Sequence, residues 1–361
     1  MTSNLLTISI LIKPRHLRKL EEDAWYERPV PARLIFNKKT YDITMTYRGN
    51  HTREFRKKSY HIIFNTYNEE FRAKEIHLNA EYRDPSLIRN KLSFEFFQKI
   101  GCLVPQSTHV FLFINGKAEG VYLLIESVDQ YFLKERNLPL GPIFYGVNYH
   151  ANFSLLTEEG DVKSSLLKGY ETKEGSLEDE KDLEMFIAKI NTLPREVFPE
   201  EISKVLNIRQ FLLWLCGIIC TQNFDGFEHN YSLYKNTETN LYEMIPWDYD
   251  ATFGRDCDGV KMEYDYIGIE GFNALTARIL DIKEFRQQYK TLMEKVLTHH
   301  FTPQSLEPMI NTMYEDIKDY MKLDPYKSQS GVIKFEKEFD YIRQFIKDRN
   351  QYLKEQLDHL N

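Results

Sequence analysis

The densest set of proton-accepting and cation-binding groups in the chain is Asp225, Asn230, Asp248 and Asp250. Asp225 and Asn230 lie in Thr221-Gln-Asn-Phe-Asp-Gly-Phe-Glu-His-Asn230, directly after a strongly apolar run. A buried element therefore anchors their loop, and Gly226 permits a sharp backbone turn. The spacing lets the carboxylate face an incoming hydroxyl while the amide oxygen reaches a hard cation. Downstream, Ile245-Pro-Trp-Asp-Tyr-Asp250 puts Asp248 and Asp250 on one side of an extended chain, a spacing that suits Mg²⁺ or Mn²⁺ and the oxygens of a phosphate. Between the two loops, Asn230 to Lys235, the turn-forming Asn236 to Asn240, and Leu241 to Ile245 predict an isolated β-hairpin whose end brings the loops together. Singly, Asp, Asn and Gly are ordinary turn residues and Asp-x-Asp has little specificity. His229 has no second histidine at i+3 or i+4 and the chain has no paired His/Cys spacing for zinc, so zinc chemistry is not expected.

In this order, an Asp-x4-Asn pair, a strand hairpin and an apolar-flanked Asp follow the arrangement of protein kinases. Trp247-Asp248-Tyr249 takes the place of Asp-Phe-Gly without its glycine, and Asn223-Phe224 precedes Asp225 in place of His-Arg. On that pattern Asp225 is the catalytic acceptor, Asn230 and Asp248 are metal ligands, Asp250 is either a second metal ligand or a structural acceptor, and Trp247 packs the hairpin. A phosphate-binding lysine is then required. Period-two parity puts Lys58 on one strand face with Tyr60, Ile62 and Phe64; if that face meets the cleft, Lys58 binds phosphate and Lys57 is the alternative on the opposite face. Arg48-Gly49-Asn50 and Arg53 add a backbone turn and charge, although strand-end arginines are commonly surface residues. Glu95 is the acid available on the neighbouring helix to orient the lysine. Glu126, where a strand leaves the first half of the chain, reads either as an adenine-region group or as a structural cap.

The elements that must hold these residues change character along the chain. Residues 1–127 are strand-like, as in Tyr41–Tyr47 and Ser59–Phe64, with Asn115-Gly116 at the tip of a predicted hairpin. One helix interrupts them, starting at Asp84-Pro85-Ser86 and stopping at Gly101. Residues 128–361 shift to helical period over Leu183–Ile190, Ile202–Cys220, Phe285–His299, Leu306–Met321 and Ile333–Leu360. The expectation is an α+β chain: a small β-rich lobe with one main helix, then a larger helical lobe carrying a hairpin. Its 361 residues suit two lobes, and 42% hydrophobic with 28% charged residues excludes bulk disorder. A net charge of -7 from 54 acidic and 47 basic residues argues against a dedicated nucleic-acid binder. Four cysteines are too few for a disulfide scaffold. The apolar run Phe211–Cys220 is short of the roughly 18 residues a membrane-spanning helix needs. The acidic stretch Glu178 to Asp182 reads as a solvated helix start.

These residues also resemble the spore coat protein H (CotH) family of atypical protein kinases. The resemblance rests on Tyr47-Arg-Gly-Asn50 with Arg53, Lys57-Lys-Ser-Tyr60, Leu87-Ile-Arg-Asn-Lys91, Gly120-Val-Tyr122 with Glu126 and Asp129, Asp225 to Asn230, and Ile245 to Asp250 with Gly254. It implies a divergent two-lobed protein-kinase-like fold, with residues 1–127 as the nucleotide-binding lobe and 128–361 as the catalytic lobe. It further implies ATP with Mg²⁺ or Mn²⁺, Ser-rich basic spore-coat proteins as substrates, and a role in coat assembly and germination. The expected place is the mother-cell cytoplasm and then the spore coat, as a monomer without membrane or nucleic-acid partners. A non-catalytic coat scaffold and a metal-dependent phosphohydrolase are the competing readings.

Overall fold

The computed structural model describes residues 5–157 and 159–361. The chain forms two compact units, Met1–Lys91 with Pro105–Ser127 and Pro308–Asp340, and Leu92–Val104 with Val128–Glu307 and Tyr341–Asn361. The architecture is α+β, β-rich first and helical after, as expected. The division departs from a single crossing at residue 127, because residues 92–104 belong to the second unit and residues 308–340 to the first.

In the first unit, β1 (Leu6–Ile12), β2 (Val30–Phe36), β3 (Lys39–Arg48), β4 (Ser59–Asn68), β5 (Ala73–Asn79), β6 (Ser107–Ile114) and β7 (Lys117–Glu126) close into a barrel of order β1-β2-β3-β4-β5-β7-β6. Neighbours are antiparallel except β1 and β6, which run parallel from Leu6↔Val110 to Ile10↔Ile114. Alternation drives the closure: Ile8, Ile10, Leu34, Met45, Ile62, Leu78, Val110 and Leu112 all turn inward and are fully buried. At the β6–β7 tip, Asn115 and Gly116 adopt φ of 49° and 79°, the paired positive values of a tight hairpin turn. Helix α1 (Pro14–Glu22) sends Leu20 into the barrel core.

Two buried charge clusters tie residues 308–340 to the barrel unit. Lys57 Nζ donates to Asp324 Oδ2 at 2.8 Å and to the Val121 carbonyl at 2.6 Å. Arg89, with no exposed side-chain surface, donates to Asp84 and to Glu338, each at 2.6 Å. Asp84 also accepts from the Ser86 and Arg89 amides at 2.8 and 3.0 Å, with Leu87 between them at φ 59°. This turn delays helix α2 (Arg89–Ile100) beyond its expected start at Asp84-Pro85-Ser86. Its stop is as predicted: Gly101 takes φ +98°, and the Cys102 amide donates to the Phe97 carbonyl at 2.9 Å.

The second unit holds α3 (Gln130–Glu135), β8 (Ile143–Gly146), β9 (Tyr170–Glu174), α4 (Leu177–Thr192), α5 (Phe198–Ser203), α6 (Ile208–Thr221), β10 (Tyr231–Asn236), β11 (Leu241–Pro246), α7 (Ala274–Asp281) and α8 (Lys283–His299). Helices α9 (Pro303–Ile317) and α10 (Gln329–Gln356) each contribute residues to both units. The predicted hairpin is β10–β11, but it is not isolated: the sheet runs β11-β10-β8-β9. Ile-Phe-Tyr-Gly in β8 is too short to alternate, and Tyr-Glu-Thr-Lys-Glu in β9 carries no apolar face. The helix expected over Ile202–Cys220 is two, broken at Asn207, whose side chain accepts from the Gln210 amide as an N-cap. From Phe211 to Thr221 every residue of α6 is buried. Arg349, on α10 and fully buried, donates to the Ile219 carbonyl at 2.7 Å and to those of Tyr264 and Ile267 at 2.8 and 2.7 Å. It thereby satisfies a last-turn carbonyl of α6 and fixes the point from which the next loop departs. All four cysteines are free, and among the described residues no helix is long and apolar enough to cross a membrane.

Candidate active site

The loop after α6 is built by its own backbone. Gln222 takes φ 56° and ends the helix; the Asn223 side chain then accepts from the Gly226 amide at 3.0 Å. The Asp225 carbonyl accepts from the Glu228 and His229 amides at 3.0 and 2.8 Å, closing a short turn that holds the Asp225 side chain half-exposed. Gly226 permits a close approach to α6, since a Cβ there would stand 2.7 Å from Ile218 Cδ1. Phe227, fully buried, packs its ring 4.5 Å from that of Phe272 and pins the turn from below.

Asn230 sits at the mouth of the hairpin. Its amide donates to the Gly146 carbonyl at 3.2 Å, and its own carbonyl accepts from the Trp247 amide at 3.0 Å. Its side-chain Nδ2 donates to the Asp248 carbonyl at 3.2 Å. With Nδ2 committed, the remaining amide atom is the Oδ1 oxygen, the type a hard cation takes. Asn230 and Asp248 adopt φ of 59° and 57°, left-handed values that Asn and Asp tolerate better than other side chains. Asp248 is thus a turn residue, which corrects the extended reading of the 245–250 segment. Asp248 and Asp250 are nevertheless both half-exposed around a fully buried Tyr249, whose ring lies 5.0 Å from Phe97. Trp247 stacks on Tyr145 at 6.1 Å and 11°, the packing role expected of it.

His229 and Cys257 report how these carboxylates gather. Burial holds the His229 imidazole below its ordinary pKa, while Asp225 and then Asp248 act in the opposite sense on the same ring. Burial pushes the Cys257 thiol up to about 11, and Asp225, Asp258, Asp256 and Asp250 reinforce it. Two loops separated by a hairpin thus act on the same imidazole. Asn230, Asp248 and Asp250 each offer an oxygen donor, the type that Mg²⁺ or Mn²⁺ takes and a thiophilic ion does not. Cys257, Asp256 and Asp258 escaped the sequence reading because they belong to no motif; only the acidic spacing Asp256-Cys-Asp258 hinted at them.

The residues expected to bind ATP in the first unit are placed differently. Parity is right that Lys58 shares a face with Tyr60, Ile62 and Phe64, but that face is the barrel interior, where the three are 3%, 0% and 3% exposed. Lys58 lies at the barrel's end, over the Tyr47 ring, and donates to the Arg53 carbonyl. It lines a cavity of about 360 Å³ with Glu21, Arg56, Lys117, Glu119 and Tyr326. The argument for a cleft-facing lysine therefore fails: apolar parity marked a core. Lys57, the alternative lysine on the opposite face, is buried against Asp324, and that acid, unlike the Glu95 expected on α2, comes from a distant segment. Burial holds the Lys57 ammonium below its ordinary pKa, opposed chiefly by Asp324. Arg48 donates to the Asn79 side chain. Arg53 donates to the Gly49 carbonyl at 2.7 Å and lies over the Trp25 ring. The Glu126 carboxylate accepts from the Gln106 amide at 2.8 Å, consistent with the cap among its two readings.

Against known proteins, a family model described as CotH kinase protein matches residues 45–353. The inner spore coat protein H of Bacillus subtilis (strain 168) is 51% identical over 356 residues, 98% of each chain. Among solved structures, a chain of the Shewanella oneidensis MR-1 complex of HipA, HipB and operator DNA is 14% identical, covering 99% of this chain and 75% of that one at a TM-score of 0.39. The Helicobacter pylori proinflammatory kinase CtkA is 9% identical, covering 91% of this chain and 92% of that one at a TM-score of 0.33.

Proposed function

The chain belongs to the CotH kinase protein family, and from that premise we propose that it transfers the γ-phosphate of ATP to serines of Ser-rich, basic spore-coat proteins during coat assembly. The observation that supports this reading is the hydrogen bonding between the two motif-bearing loops, Asn230 Nδ2 to the Asp248 carbonyl at 3.2 Å and the Trp247 amide to the Asn230 carbonyl at 3.0 Å.

Each side chain then has a task. Asp225, held by its own turn, orients the serine hydroxyl and takes its proton as the Oγ–P bond forms and ADP leaves. Asn230, its amide oriented by the Asp248 carbonyl, would hold the divalent ion together with Asp248 and Asp250. When bound, that ion supplies charge neutralisation on the triphosphate. Positioning supplies most of the rate, which is why the loop is hung on a buried helix end clamped by Arg349. In the first unit Arg48 and Arg53 are the basic residues we assign to phosphate, and Lys58 is not.

Two other readings use the same residues: a nucleotide-binding coat scaffold, and a metal-dependent phosphohydrolase. The intact acid set favours catalysis over a scaffold, and the near-even charge balance gives little support for a nuclease. Incubation with γ-labelled ATP, Mg²⁺ or Mn²⁺ and a Ser-rich basic peptide separates the three. Phosphoserine that disappears in Asp225→Asn supports the proposal. Free phosphate without phosphopeptide favours the hydrolase, and neither product favours the scaffold.

A further inference from the structure

The outward face of the barrel carries a second donor cluster with different chemistry. His61 on β4 stands directly opposite His77 on β5, and Glu75 lies two residues before His77 on the same face. Their neighbours Tyr60, Ile62, Ile76 and Leu78 fill the barrel, so parity turns His61, Glu75 and His77 out together. The two imidazoles stack at 4.9 Å and 20°, and His61 Nε2 is 3.1 Å from Glu75 Oε2. One donor atom from each of the three side chains falls within 4.8 Å of the others. The other carboxylate oxygen, Glu75 Oε1, accepts from Ser127 Oγ at 2.6 Å. His77 is 7% exposed, while the His61 and Glu75 side chains are 27% and 13% exposed, so the cluster is buried on one side and open on the other.

We propose that His61, Glu75 and His77 bind one borderline transition-metal ion, with zinc as the physiological occupant. Two imidazoles and a carboxylate are a donor set for zinc and its neighbours in the first transition row, not for magnesium. They leave one position for water or another ligand. Ser127 supplies the outer hydrogen bond that orients a ligating carboxylate. Because the ligands come from two adjacent strands, and Ser127 from the residue after β7, the ion fastens three strand segments of the barrel. The pair lies sixteen residues apart in sequence, His61 to His77, a spacing no helical or CxxC-type motif covers.

The test uses the full-length chain stripped with a chelator and titrated with ZnCl₂ by calorimetry under excess Mg²⁺, which masks the oxygen-donor loops. One tight equivalent and a raised thermal midpoint are expected. Cobalt(II) in place of zinc should give visible d–d bands. His61→Gln and Glu75→Gln, both at partly exposed positions, should weaken binding at least about tenfold with the far-UV spectrum unchanged, and Ser127→Ala about tenfold through orientation alone. Absence of binding below millimolar zinc, or binding untouched by His61→Gln, would overturn the proposal. Because the readout is metal titration, neither result bears on phosphotransfer.

Discussion

Lys57 and Asp324, 267 residues apart in the chain, meet at 2.8 Å in an ion pair from which solvent is wholly excluded. Gly120 makes room for it: at φ +94°, a Cβ there would stand 2.2 Å from the Asp324 carboxylate. Tyr122 lies beneath the ammonium at 4.6 Å. The motifs Lys57-Lys-Ser-Tyr60 and Gly120-Val-Tyr122, which carry much of the family resemblance, thus build a buried clasp. Leu87-Ile-Arg-Asn-Lys91 does the same through Arg89, Asp84 and Glu338.

Removing one partner strands the other charge, which costs about 3–5 kcal/mol. Asp324→Asn should therefore lower the stability of the chain by that order in urea melts, and Gly120→Ala should destabilise in the same direction by displacing the carboxylate. Replacing both charges, Lys57→Met with Asp324→Leu, should recover much of the loss. A single-variant loss below about 1 kcal/mol would show that the pair is not desolvated.

Lys58 separates the two accounts of the first unit. If it sat on triphosphate, Lys58→Ala would abolish transfer; placed at the barrel mouth, the variant should keep kcat/KM within about threefold, because no interaction unique to the transition state is lost. Steady-state kinetics over a range of ATP concentrations checks this.

His109 gives the barrel a pH dependence. Buried completely, it is held down to about 4 by desolvation, against the support of its 2.8 Å hydrogen bond to the Leu87 carbonyl. The unfolded chain protonates this ring near 6.5 and the folded one does not, so stability is full above about 6.5 and falls as the pH drops toward 4, by about 3 kcal/mol in total. His109→Gln keeps a donor for Leu87 without the titration. Its thermal midpoint should fall less than the parent's between pH 7 and pH 4.5, and equal falls would remove His109 as the cause.

What was legible in the sequence followed from periodicity and turn chemistry. The Asn115-Gly116 hairpin, the stop at Gly101 and the β10–β11 ribbon were all readable because local residue types decide local backbone. The carboxylate loops were readable because buried segments flank them. Asp324 was not, since nothing local marks an acid that will be buried against a lysine from another part of the chain. Nor was the face on which Lys58 lies, because alternation tells which residues share a side but not whether that side is a core or a cleft. β8 and β9 were missed for want of length and apolar content, and Cys257 because its neighbourhood exists only in three dimensions.

The central claim is that Asp225 and Asp248 serve one metal–nucleotide site in distinct roles. Manganese electron paramagnetic resonance with a non-hydrolysable ATP analogue, run beside label transfer on the same preparations, tests it most directly. Asp248→Asn should weaken the bound Mn²⁺ signal about tenfold or more, whereas Asp225→Asn should keep that signal and lose transfer by about 10²-fold or more. Unchanged metal binding in Asp248→Asn, or transfer surviving in Asp225→Asn, would contradict the account.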